Sequence, residues 1–191
     1  MAYNIKDVFY LSTSATIAAG TNNGGSAQLD LSAYIDPIAR GRTKGTGLAV
    51  YKAYFAVQQS ASNSDPIDDA EAGTFSFGLQ AGAGLGDIAT GGLQTDASAF
   101  SNTNALLVQS GSFYGPKSMI ANASTTVDMF PNTAVMPSVE VPYVIVRDNV
   151  CLTYQVHDQM TEATTLSVRL EVAQISLDQA TLNQLLRTQT V

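Results

Sequence analysis

The 191-residue sequence predicts an all-β fold, an antiparallel two-sheet sandwich with a short C-terminal helix. Three observations lead there. Residues 138–176 alternate apolar and polar side chains with a period of two through three consecutive segments. Glycine, proline and asparagine punctuate the chain at intervals that suit short strands. About eight strand candidates can be counted, with long connections early and short ones late. Eight antiparallel strands in two sheets make a jelly roll the expected version, as a single domain over residues 1–191. No fixed-period repeat supports a propeller or a solenoid.

The elements follow in order. Residues 7–18 place Phe9, Leu11, Ala15 and Ile17 on one face. Gly20–Gly25 reads as a turn, and Gln28–Tyr34 as a strand stopped by Asp36-Pro37. Gly41–Gly47 reads as a basic, glycine-rich loop. Residues 48–59 form a strong strand, with Tyr51, Ala53, Phe55 and Val57 on one face. Ser60–Gly73 is a polar loop. Thr74–Ala81 alternates strictly, with Phe75, Phe77 and Leu79 inward. Gly82–Gly92 is glycine-rich, and Asp96 is placed to cap a short helix carrying Phe100, Leu106 and Leu107. Short strands are expected around Phe113-Tyr114, Ser118–Ala121 and Thr126–Phe130.

In the C-terminal block, Val139, Val141, Tyr143 and Ile145 alternate with Glu140 and Pro142. Val150, Leu152, Tyr154 and Val156 then share a face, opposite Cys151, Thr153, Gln155 and His157. Leu166, Val168, Leu170 and Val172 repeat the pattern. Ile175 and Leu177 fall one residue out of phase, which predicts a bulge near Ala173. Asp178–Arg187 reads as the terminal helix, with Ser176 as its expected N-cap.

Composition narrows the function. Charged residues are 13%, about half the usual share of roughly 25%. A polar but weakly charged surface suits a chain packed against copies of itself, because interface centres are depleted in charge. The net charge of −7 argues against direct nucleic-acid binding, which needs clustered Lys and Arg. The densest basic group is Arg40, Arg42 and Lys44. The first residues lack the apolar core of a secretory signal, and no apolar run approaches the roughly 20 residues of a membrane span. Synthesis in a host cytoplasm is therefore expected.

The chemistry-bearing residues are few. Cys151 is the sole cysteine and His157 the sole histidine, so neither a disulfide framework nor a Cys/His zinc site is available. On one strand the two lie six residues apart, about 20 Å at ~3.3 Å per residue, too far to share a proton. The glycines at 82, 84, 86, 91 and 92 fit neither the dinucleotide nor the P-loop pattern. Asp65, Asp68, Asp69 and Glu71 offer the carboxylate oxygens that Ca²⁺ takes, without EF-hand spacing; a solvated loop is the plainer reading. Tyr51, Phe55, Phe75, Phe77, Tyr143 and Tyr154 have core spacing. No enzyme, cofactor or small-molecule substrate is expected.

The 20.1 kDa chain, with its short N-terminal segment, eight-strand rhythm and strongly β C-terminal half, resembles the single jelly-roll capsid proteins of tailless icosahedral DNA viruses. The resemblance is one of overall texture. It implies a structural subunit of a virion that self-assembles into capsomers and an icosahedral shell around a DNA genome. Its partners would be copies of itself and other capsid proteins, over an internal viral membrane. The Arg-rich arm of single-stranded RNA virus capsids is missing. The expected contacts lie on the loops Gly20–Gly25, Arg40–Gly47, Ser60–Gly73 and Gly82–Asp96, and on a Leu182, Leu185, Leu186 stripe that docks on the sandwich or on a neighbour. The competing class is a binding module: a lectin-like or carbohydrate-binding β-sandwich, or a phage tail or fibre component.

Overall fold

The computed structural model describes residues 7–36, 44–59, 67–82, 100–102, 104–117 and 136–189. Within them the chain forms eight strands and one helix: β1 (Val8–Ile17), β2 (Gly24–Asp30), β3 (Lys44–Gln59), β4 (Thr74–Ala81), β5 (Leu107–Tyr114), β6 (Tyr143–Ile145), β7 (Asn149–Asp158), β8 (Thr164–Asp178) and α1 (Gln179–Thr188). Two four-stranded sheets result, in the orders β1-β8-β3-β6 and β2-β7-β4-β5. All the strand pairings are antiparallel. The fold is an all-β two-sheet sandwich, as the alternation predicts.

Both sheets contribute to one core. Ile17, Leu48, Val50, Leu166, Val168, Leu170 and Val172 face it from the first sheet; Phe75, Phe77, Leu79, Phe113, Val150, Leu152 and Val156 face it from the second. Burying each such side chain contributes roughly 1.5–3 kcal/mol. The aromatic centre is Phe75, stacked on Phe113 at 5.0 Å and tilted against Phe77 at 6.0 Å, while Phe77 reaches across to Phe55 at 4.7 Å. Tyr143 and Tyr154 pack at the margin of this core.

Several boundaries depart from expectation, each for a local reason. β2 starts at Gly24, inside the expected turn. The Tyr154 ring lies where a Cβ on Gly25 would stand, so only glycine admits this approach. β2 stops at Asp30, before Tyr34, because the Asp30 carboxylate accepts the amide of Ser32 at 2.8 Å and turns the chain. β3 begins at Lys44, so Gly45 and Gly47 are strand residues rather than loop.

The alternation from Val139 overstates β6, which is three residues long. Pro142 has no amide for a ladder, and Ser138 turns the chain: its amide donates to the Val141 carbonyl and its hydroxyl accepts the Val141 amide. Val139 and Val141 are left 48% and 75% exposed. Leu107 opens β5, and Leu106 is bonded to β4 through the Ala81 amide, so neither belongs to a helix. Asp96, Ser118–Ala121 and Thr126–Phe130 lie outside the described residues.

The bulge expected near Ala173 sits on the partner strand. Val50 pairs with Val172 and Lys52 with Glu171, so Tyr51 is the extra residue. Up to Val50 the even residues of β3 face the core; after Tyr51 the odd ones, Ala53, Phe55 and Val57, do. Tyr51 is thereby turned to the outer face, where it packs with Ala49 and Ala173 rather than with Phe55. β8 itself runs in unbroken register against β1. Its phase slip has another cause: on the outer face Leu177 is buried and Ile175 half-buried, in the cluster that α1 covers.

Candidate functional site

α1 is held by its N-cap, which is Asp178 rather than Ser176. The Asp178 carboxylate accepts the Thr181 amide at 2.8 Å, whereas Ser176 stays in β8 opposite Thr46. That bond, with a smaller contribution from Lys44 nearby, holds the Asp178 carboxyl below its ordinary pKa. Leu182 is fully buried against Val146 and Leu177, and Leu185 and Leu186 pack on the same cluster. The leucine stripe thus docks on its own sandwich. Gly45 makes room for it, since a Cβ there would meet Leu182 Cδ2 at 2.7 Å.

One residue that pattern reading passes over completes this seal. Gln189, 3% exposed, accepts the Val146 amide through Oε1 at 3.2 Å and donates through Nε2 to the Val144 carbonyl at 2.6 Å. β6 is the outermost strand of its sheet, so the side-chain amide stands in for a missing neighbour strand. A polar residue just past a helix gives no periodic signal for such a role.

The acidic loop separates into different environments. Asp68 and Asp69 are exposed, and Asp68 accepts the Ala70 amide at 2.8 Å, which lowers its pKa. Glu71 is 1% exposed. Its carboxylate accepts the amides of Gly73 at 2.7 Å, Thr161 at 3.0 Å and Glu162 at 3.4 Å. It ties the β4 entrance to the β7–β8 loop. Among the described residues no three His, Cys, Asp or Glu side chains are grouped to hold a metal ion. Asp65, Arg40 and Arg42 lie outside them; Lys44 is exposed, opposite Asp178 in the ladder.

Cys151 is buried, and desolvation pushes its thiol pKa up, the wrong direction for a nucleophile. His157 stands at a register shift between β4 and β7, and its Nε2 lies 2.8 Å from Ser76 Oγ. Among the described residues neither ring nitrogen bonds a carboxylate, the group that orients the imidazole in a triad. Asp158 beside it accepts instead from the Thr74 hydroxyl at 2.8 Å.

The two outer faces differ. That of the second sheet carries a buried polar network, in which Gln80 donates to Thr153 at 3.1 Å and accepts from Asn104 at 3.2 Å. On that of the first sheet Ala49, Tyr51 and Ala173 are buried, while the β1 residues Tyr10, Ser12, Ser14 and Thr16 are exposed. Tyr10 and Tyr54 stand 60% and 47% exposed, and the Tyr54 phenol donates to Glu171 at 3.0 Å, which raises its pKa. Ser12, Ser14, Ala56, Ser167 and Arg169 line a shallow open depression beside Tyr54. The outward positions of Tyr10 and Tyr54 were legible from the in-phase runs of Phe9 and Leu11 and of Ala53, Phe55 and Val57. That of Tyr51 depended on the bulge.

No protein-family model matches the chain, and no curated protein matches it in sequence.

Proposed function

We propose that the protein is a viral structural protein, a jelly-roll capsid subunit that self-assembles into capsomers and an icosahedral shell around a DNA genome. The strand order carries the reading. Each sheet is built from nested pairs whose numbers sum to nine: β1 with β8 and β3 with β6, then β2 with β7 and β4 with β5. Wrapping one long antiparallel ribbon of such pairs into a sandwich generates a jelly roll, an architecture that recurs in capsids and lectins. The surface supports the capsid choice between those two. It is weakly charged, and the described part of its first-sheet face toward β1 is polar with protruding tyrosines, the composition of a surface made to be covered. The net charge of −7 suits a shell that encloses the genome without gripping its phosphates. Its partners are then copies of itself and other capsid proteins, above an internal membrane.

Native mass measurement and electron microscopy of the purified chain test this. Capsomers, shells or regular arrays are expected; a monomer at all concentrations and salts overturns it. One observation favours a lectin-like alternative: Tyr10 and Tyr54 project from the same face as the open depression at Ser12 and Arg169. Glycan binding that is lost in Tyr10→Ala and Tyr54→Ala variants would establish that reading instead.

A further inference from the structure

The four sheet edges are not equivalent. β6 is three residues long, preceded by Pro142 and covered by Gln189. β5 carries a register shift opposite Leu79 and Gln80. β2 is short, opens with two glycines and ends on Asp30. β1 lacks these devices over most of its length; near its end the Tyr154 phenol donates to the Thr16 carbonyl at 3.1 Å. It is ten residues long, Val-Phe-Tyr-Leu-Ser-Thr-Ser-Ala-Thr-Ile, with no charge, proline or glycine. Its register against β8 is continuous from Val8 to Ile17, so no bulge twists it away. Among the described residues its outer side has no backbone partner. Alternate residues of an edge strand point both their N–H and C=O outward, which makes such an edge a template for another strand.

We propose that β1 is the seam through which two copies of this chain join, β1 against β1 across a two-fold axis, giving a continuous eight-stranded sheet. The occupant follows from the strand's own sequence. In an antiparallel pair, directly opposite residues share a face, so a two-fold through the strand must pair residues of like parity. Centring it on Thr13 sets Phe9 against Ile17 and Leu11 against Ala15 on the core side. On the outer side it sets Tyr10 against Thr16 and Ser12 against Ser14. Apolar meets apolar, hydroxyl meets hydroxyl, and no charge is opposed. Phe9 and Leu11 are only half-buried in the single chain, and the second copy covers them. An isologous contact of this kind closes on itself and leaves the remaining surfaces free for further assembly. The choice of a second copy as occupant rests on the self-assembly reading above.

Charge placement tests both the seam and its register. Ser12 and Ser14 are exposed, and within the chain Ser12 faces Arg169 and Ser14 faces Ser167, so a carboxylate at either position is tolerated by the monomer. Ser12→Glu with Ser14→Glu sets like charges across the seam twice and should weaken association on the order of tenfold. Ser12→Glu with Ser14→Lys sets opposite charges there and should restore it. Thr13→Cys should form a disulfide with its own copy under oxidation. Association is read by sedimentation and native mass, and folding by circular dichroism. If particles form but the paired-Glu variant associates like the parent, or the Glu/Lys variant stays as weak as it, the seam is overturned while self-assembly stands. If a seam dimer forms and nothing larger does, the seam stands and the shell reading falls.

Discussion

The sheet β1-β8-β3-β6 ends in two edges that the chain treats in opposite ways. At β6 it spends a helix, a buried leucine and a glutamine amide to finish a strand of three residues. At β1 it leaves ten residues of regular strand whose one side-chain bond to the backbone among the described residues is the Tyr154 phenol on the Thr16 carbonyl. The same contrast runs across the outer face. Under α1 the apolar side chains Ile175 and Leu177 are covered, while Tyr10 and Tyr54 stand in the open. An uncapped edge is a liability to a protein that works alone and an asset to one that works in copies. On the seam proposed above, the difference separates the edge that the fold completes internally from the edge that a second copy would complete.

The covered edge can be broken first. Leu182→Ala should cost about 3 kcal/mol, as a fully buried leucine on a rigid sheet leaves a cavity. Denaturant unfolding reads this as a lower midpoint with an unchanged slope; a change within error would mean α1 is an ornament. Gln189→Ala should cost on the order of 1–2 kcal/mol by stranding the Val146 amide and the Val144 carbonyl. It should also make β6 behave like β1, seen as new concentration-dependent association in sedimentation.

Tyr143, in the same short strand, donates its phenol to the Ala105 carbonyl at 2.7 Å, and desolvation pushes its pKa up to about 12. Tyr143→Phe should cost about 1 kcal/mol and remove a component near 12 from an absorbance titration. The sign follows from the protonated form being favoured in the fold. Stability present below the unfolded value of roughly 10 declines as pH rises through it and levels off at about 12.

The smallest effect concerns Asp178. Its folded pKa is depressed, so the cap is intact above the ordinary aspartate value of roughly 3.9 and is lost as pH falls through the folded value. Asp178→Asn keeps a capping oxygen without the charge and should flatten this acid dependence of α1, measured by hydrogen exchange at Thr181. At the open edge the counterpart is near silence. Changing Ser12 or Ser14 should leave the unfolding free energy of a monomer within about 0.5 kcal/mol, since both are exposed.

Much of the sandwich could be read from period two alone. The inward sets of β1, β4, β7 and β8 follow from alternation, because a pleated strand with one wet face writes its burial directly into its residues. Reading failed where a distant partner changed what a face meant. The slip at Ile175 and Leu177 looks like a bulge in one dimension. It is a handover from the core face to the face under α1, and the bulge lies on β3 at Tyr51. The run from Val139 imitates a strand, yet Pro142 and the Ser138 turn leave only three residues to pair. Glu71 reads as one acid among four, but its carboxylate is consumed by amides from a loop some ninety residues away.

All-β class, antiparallel pairing and the terminal helix belong to local patterning, since backbone propensity and side-chain period act over a few residues. Which strands became edges, which edge received Gln189 and which tyrosines were left outside depended on the order β1-β8-β3-β6. That order is set by contacts among segments more than ninety residues apart, whose energy no stretch of the chain holds on its own.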